Sequence, residues 1–152
     1  MALRKIIKVP DDTLRKVCRP VDHIDSHILT LLDDMAQTMY ANDGVGLAAP
    51  QVGILRQIVV IDIGDEDVGL LELINPKIIS TEGEQIGQEG FLSVSDIRGD
   101  VKRPARVVVQ AYDRNGDLME YTGEGLLAVA FCHEIDHLNG IIFTDKMEKN
   151  NA

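Results

Sequence analysis

Ile28, Leu31, Leu32, Met35 and Met39 recur three and four residues apart, which gives one apolar face to a helix from about Asp25 to Asn42. Gly44 and Gly46 are expected to end it. Residues 57–63 (QIVVIDI) and 71–80 (LELINPKIIS) are rich in β-branched side chains and read as strands. Pro76 marks an edge or a bend in the second. Another strand is expected around Val107 to Tyr112. Asn115-Gly116 is a hairpin turn signal, and Leu118 to Tyr121 form the returning strand. A second helix follows from about Gly123 to Asn139, stopped by Gly140. Ile141 to Phe143 read as one last short strand. Upstream, Ile6-Ile7-Lys8-Val9 is a short apolar stretch closed by Pro10, and Asp11-Asp12-Thr13 can cap a single turn from Leu14 to Val17. Helix, several strands, then helix is an α+β order with antiparallel strands, not a βαβ series. The pattern shows no repeat and no linker, so residues 1–152 are expected to form one domain. The polar tail after Met147 is expected to fray.

Composition narrows the function. The chain has 152 residues, 45% of them hydrophobic, enough for a core without disulfide staples. It lacks tryptophan and only 4% of it is aromatic, so that core rests on Leu, Ile and Val. A net charge of −10 argues against a general nucleic-acid or anionic-membrane binder. The groups Arg4, Lys5, Lys8 and Lys102, Arg103, Arg106 read as solvated surface. Two cysteines, Cys18 and Cys132, form no CxxC pair, which fits a reducing compartment. The N-terminus has no apolar signal-peptide core, and no apolar run approaches the roughly 20 residues of a membrane span. A cytoplasmic protein is the expectation.

His133-Glu134-Ile135-Asp136-His137 is an HExxH sequence on the second helix. Residues four apart share a helical face, so both imidazoles can reach one metal ion. A metal lowers the pKa of water, and Glu134 beside it is suited to take the proton and later return it to a leaving group. The bland alternative is a pair of surface or core histidines matched by chance. The apolar run Leu126 to Phe131 favours a buried metal helix. HExxH supplies two ligands, and the residues after His137 contain no His or Cys. A third protein ligand would have to come from upstream.

Three segments together resemble the peptide deformylase family. They are Gly44-Val45-Gly46-Leu47-Ala48-Ala49-Pro50-Gln51, then Glu89-Gly90-Phe91-Leu92-Ser93, then the HExxH sequence. The family pattern is GxGxxAxQ, EGCLS and HExDH, in that order and at similar spacing. VPDDTLRKVCRPV and LLDDMAQTMY are also similar to family members, so the resemblance covers nearly the whole chain. It implies antiparallel strands packed around a central HExxH-bearing helix. It implies a metal amidohydrolase that removes the formyl group from the N-terminal formyl-methionine of new polypeptides. By position, His133 and His137 would bind the metal and Glu134 would be the general acid/base. The Gln51 side-chain amide and the Leu92 backbone N–H would donate to the oxyanion. Gly44 and Gly46 would let backbone approach the substrate, and Arg98 would lie near the peptide cleft. Asp136 and Arg103 would pair and orient the metal helix.

The chain departs from that pattern at Phe91, where the family carries its cysteine ligand. A phenyl ring has no lone pair to donate, and losing one of three ligands should weaken metal binding by orders of magnitude; even outer-sphere losses cost roughly 10–100-fold. The site could hold metal weakly through two imidazoles and water. It could recruit Cys132, which points about 100° away on an ideal helix, or Glu89. It could also be empty. Cys132 reads better as a small buried residue. The cofactor expectation is thus one divalent transition metal, iron, zinc or nickel, held weakly or not at all. The rival functions are a degenerate relative that binds peptide N-termini and a metallopeptidase with a rebuilt site. The chain stops soon after Lys146-Met147-Glu148-Lys149, without the longer basic C-terminal helix that contacts the ribosome in many bacterial members. Ribosome docking by that route is not expected.

Overall fold

The structure, a computed structural model, describes residues 2–7, 12–91 and 94–141; of Asp12, 88–91 and 94–99 it describes the backbone alone. A 3-10 turn, Asp12–Arg15, comes first. Helix α1 spans Ser26–Ala41, close to its expected bounds. Asp25 caps it by accepting the Ile28 N–H at 3.1 Å, satisfying one of the donors that a helix start leaves over. Seven strands follow: β1 Gly46–Ala48, β2 Ile58–Ile61, β3 Leu71–Glu82, β4 Gln85–Phe91, β5 Val94–Arg103, β6 Arg106–Tyr112 and β7 Leu118–Glu124. Helix α2, Leu126–Leu138, completes the described elements.

The strands form a five-stranded sheet in the order β1-β2-β3-β6-β7 and a separate β4-β5 hairpin. Every neighbouring pair is antiparallel. The five-stranded sheet lies between the two helices. Val59 and Ile61 of β2 share a core with Ala128, Phe131 and Ile135 of α2. Ile58 and Val60, on the other face, pack with Leu31, Leu32, Met35 and Met39 of α1. That is why IVVI is uninterrupted by polar residues: both faces of β2 are covered. Burying side chains of this size contributes about 1.5–3 kcal/mol each.

Several expectations need correcting. Glycine does not end α1. Asn42 caps it, Asp43 takes the left-handed conformation at φ 56°, and the Gly44 N–H donates to the Met39 carbonyl at 2.9 Å. Residues 123 and 124 belong to β7, and Gly125 at φ 57° separates that strand from α2. Of the two readings for Pro76, the bend holds and the edge does not, since β3 is an interior strand. The ladder to β6 shifts register between Ile74 and Lys77, and Asn75 there adopts φ 53°. Such a bulge lets a central strand carry a residue without an N–H. Strands β1, β4 and β5 have no counterpart among the expected elements. Ile141 carries no regular structure, and the rest of the expected last strand lies outside the described residues, as does the tail after Met147.

The end of α2 follows the expectation closely. Gly140 at φ 74° donates to the His137 carbonyl at 3.2 Å, and the Ile141 N–H reaches the Asp136 carbonyl at 2.9 Å. These two bonds make a Schellman stop, which needs a left-handed residue where Gly140 stands. It fixes the helical turn that carries Asp136 and His137.

Candidate metal centre on the second helix

Helix α2 presses Ala128 and Phe131 into the sheet, and the same helix carries His133, Glu134 and His137 in buried positions. One ligand atom from each of the three lies within 4.8 Å of the others, the one such group among the described residues. The imidazole centroids are 5.1 Å apart and the rings tilt by 60°. Four buried polar atoms here, His133 Nε2, Glu134 Oε1, His137 Nδ1 and His137 Nε2, make no hydrogen bond. Burial, then the neighbouring His133 and Arg103, hold the His137 pKa well below its ordinary value. His137 is therefore neutral at neutral pH, the form that ligates metals. Two imidazoles beside a carboxyl group, already withdrawn from water, fit a divalent transition metal.

Strand β1 and the 3-10 turn Ala49–Val52 after it pack against α2. They bring two further expected residues alongside. Gln51 is fully buried, and its Oε1 accepts the Ala48 N–H at 2.9 Å. That bond turns the amide oxygen toward backbone and makes the NH2 group the donor end. Gly46 lies directly against Glu134: a methyl group at Gly46 would come within 2.6 Å of Glu134 Oε2. Gly44 lies just before β1, at the end of the turn that leaves α1.

Arg103 ends β5 and is buried, with its Nη1 2.6 Å from Asp136 Oδ2. The expected pair is thus present. Cys132 is buried in the core cluster around Phe131 and stands outside the three-residue group, in keeping with its bland reading. Phe91 is the last residue of β4 and pairs in register with Val94. The side chains of Phe91, Glu89 and Arg98 lie outside the described residues, and so does Leu92 altogether. The missed feature is the closeness of Gly46 to the Glu134 carboxylate, which nothing local in either segment announces.

The profile of the polypeptide deformylase family matches residues 3–152. A peptide deformylase of Thermoanaerobacter pseudethanolicus is 60% identical over 96% of this chain and 90% of its own length. One from Acetivibrio thermocellus is 62% identical over 97% of this chain and 85% of its own. Among solved structures, the peptide deformylase of Thermotoga maritima superposes with a TM-score of 0.92 at 36% identity, covering 97% of this chain and 99% of that one. A peptide deformylase from Legionella pneumophila gives 0.92 at 46% identity, covering 96% and 86%.

Proposed function

This chain belongs to the polypeptide deformylase family, and from that footing we propose that it hydrolyses the formyl group from the N-terminal formyl-methionine of new polypeptides. The carrying observation is the buried group His133, Glu134 and His137 on α2, with ligand atoms within 4.8 Å. His133 and His137 are the residues that would hold the metal. When bound, a divalent ion supplies Lewis acidity, which lowers the pKa of water and polarises a carbonyl. Iron, zinc and nickel all suit imidazole donors.

The chain's own residues do the rest. Glu134 takes the proton from the attacking water and passes it to the leaving amine, so the products are formate and a free N-terminus. The Gln51 amide, oriented by its bond from Ala48, donates to the oxygen that gains charge as the carbonyl is attacked. The Leu92 N–H is the second donor. By the family resemblance, Gly44 and Gly46 let backbone approach the peptide and Arg98 takes part in binding it. No described helix is long and apolar enough to cross a membrane. A cytoplasmic location follows from the substrate, since formylated N-termini arise at protein synthesis. Phe91 offers no donor atom, so a bound ion would have fewer protein ligands unless another group completes the site.

The test is formate release from a formyl-methionyl peptide by chain loaded anaerobically with iron, zinc or nickel, with His133→Ala as the blank. A rate well above the blank supports the hydrolase. A rate equal to it, for every metal, leaves a protein that binds peptide ends without turnover. Cleavage of unformylated peptides instead would mark a peptidase.

A further inference from the structure

We infer that Gly46 is a positioning residue whose missing side chain makes the space that the Glu134 carboxylate occupies. This rests on the hydrolase reading for its consequence, though not for its geometry. A methyl group on Gly46 would lie 2.6 Å from Glu134 Oε2, 2.9 Å from its Cγ and 3.0 Å from its Cδ. Carbon atoms in van der Waals contact sit near 3.5–4.0 Å, so all three atoms would be displaced. Backbone conformation does not explain the glycine, because Gly46 is absent from the positive-φ residues. The space is what demands it.

The strand cannot easily give way. Gly46 pairs with Ile61 and Ala48 with Val59 in the β1–β2 ladder. The Asp62 N–H holds the Val45 carbonyl at 2.9 Å on one side, and Gln51 Oε1 holds the Ala48 N–H on the other. Glu134 is anchored at its backbone, in α2, but its carboxyl end swings on three torsions. A methyl group at 46 therefore moves the carboxylate and leaves both elements in place. Read the other way, β1 is a wall that fixes where the proton acceptor stands relative to His133 and His137. Gly46 acts through Glu134, in addition to any backbone contact with the peptide.

The experiment compares Gly46→Ala with the parent chain, each metal-loaded. The expected result is a kcat lower by about tenfold to hundredfold, the size of loss that an ångström of misplacement causes. KM should stay within about twofold, because the new methyl group points at Glu134 and the β1 backbone that faces the peptide stays in place. Metal per chain and melting temperature should be unchanged. A parental kcat, or a loss confined to KM, would overturn the inference. If Gly46→Ala fails to fold, Gly46→Ala/Glu134→Ala should fold again, since the clashing atoms are gone; no recovery would also overturn it. If the parent chain itself releases no formate, the hydrolase reading fails separately. Crystal structures of metal-free parent and Gly46→Ala then decide, by whether the Glu134 carboxylate is displaced or unmoved.

Discussion

Arg103 Nη1 lies 2.6 Å from Asp136 Oδ2, joining the end of β5 to the last turn of α2. The arginine side chain is 3% exposed and the aspartate side chain 15%, so the pair is largely out of water. Removing one partner of such a pair leaves the other charge inadequately solvated. Arg103→Leu should cost about 3 kcal/mol of stability, toward the lower end for buried pairs because Asp136 keeps some water. Urea denaturation checks it. An unchanged midpoint would mean that the pair does not hold α2 against β5.

Phe91 is the position at which a thiolate can be restored. Phe91→Cys should raise metal affinity by at least about tenfold, as gaining a ligand must outweigh the outer-sphere effects of that size. Competition with a chromophoric chelator measures it directly. Equal affinity in the two proteins would show that residue 91 does not face the ion, and that another group completes the site.

Gln51 holds the Ala48 N–H through its Oε1, and its NH2 group is the proposed oxyanion donor. Gln51→Leu keeps the volume but removes the amide donor, and kcat should fall by roughly 100- to 1,000-fold, the range for an oxyanion donor. The buried Ala48 N–H also loses its acceptor, at about 1–3 kcal/mol of stability. Assays well below the variant's melting temperature keep the two effects apart. A kcat near the parent's would remove Gln51 from the chemistry and leave it as a local clamp.

Acid stability should depend on Asp34. Its Oδ1 accepts the Ala2 N–H at 2.8 Å, and its Oδ2 pairs with Arg4 Nη2 at 2.9 Å, which fastens the N-terminal segment to α1. The Ala2 hydrogen bond first, then Arg4, hold the carboxyl below its ordinary value of 3.8. A depressed native pKa means stability that is fully present above the unfolded value and lost as pH falls through the native one. Asp34→Asn should therefore be less stable than the parent from neutral pH down to about pH 4, with the gap closing at lower pH. Thermal melts across that range provide the check. A gap that persists at the acid end would assign the loss to packing and not to charge.

Local rules made much of this protein legible. The spacing of Leu31, Leu32, Met35 and Met39, the stop at Gly140 and the turn at Asn115-Gly116 depend on neighbours a few residues away. The HExxH pair is of the same kind, because four residues of helix suffice to align two imidazoles. The β4–β5 hairpin is not legible in the sequence, because QIGQEGF carries two glycines and little β-branched character. Strand β1 is three residues long, too short for any period to show.

By itself, the sequence determined the α+β order, the placing of His133 and His137 on one helical face with Glu134 between them, and the lack of a donor atom at Phe91. Only the tertiary structure decided that Gly46 stands against Glu134, that Gln51 turns its oxygen to Ala48, and that both faces of β2 are covered. The physical reason is range. Propensity and periodicity act within a turn or a strand, whereas the space left for a carboxylate is set by two segments far apart in the chain, packed face to face at interior density.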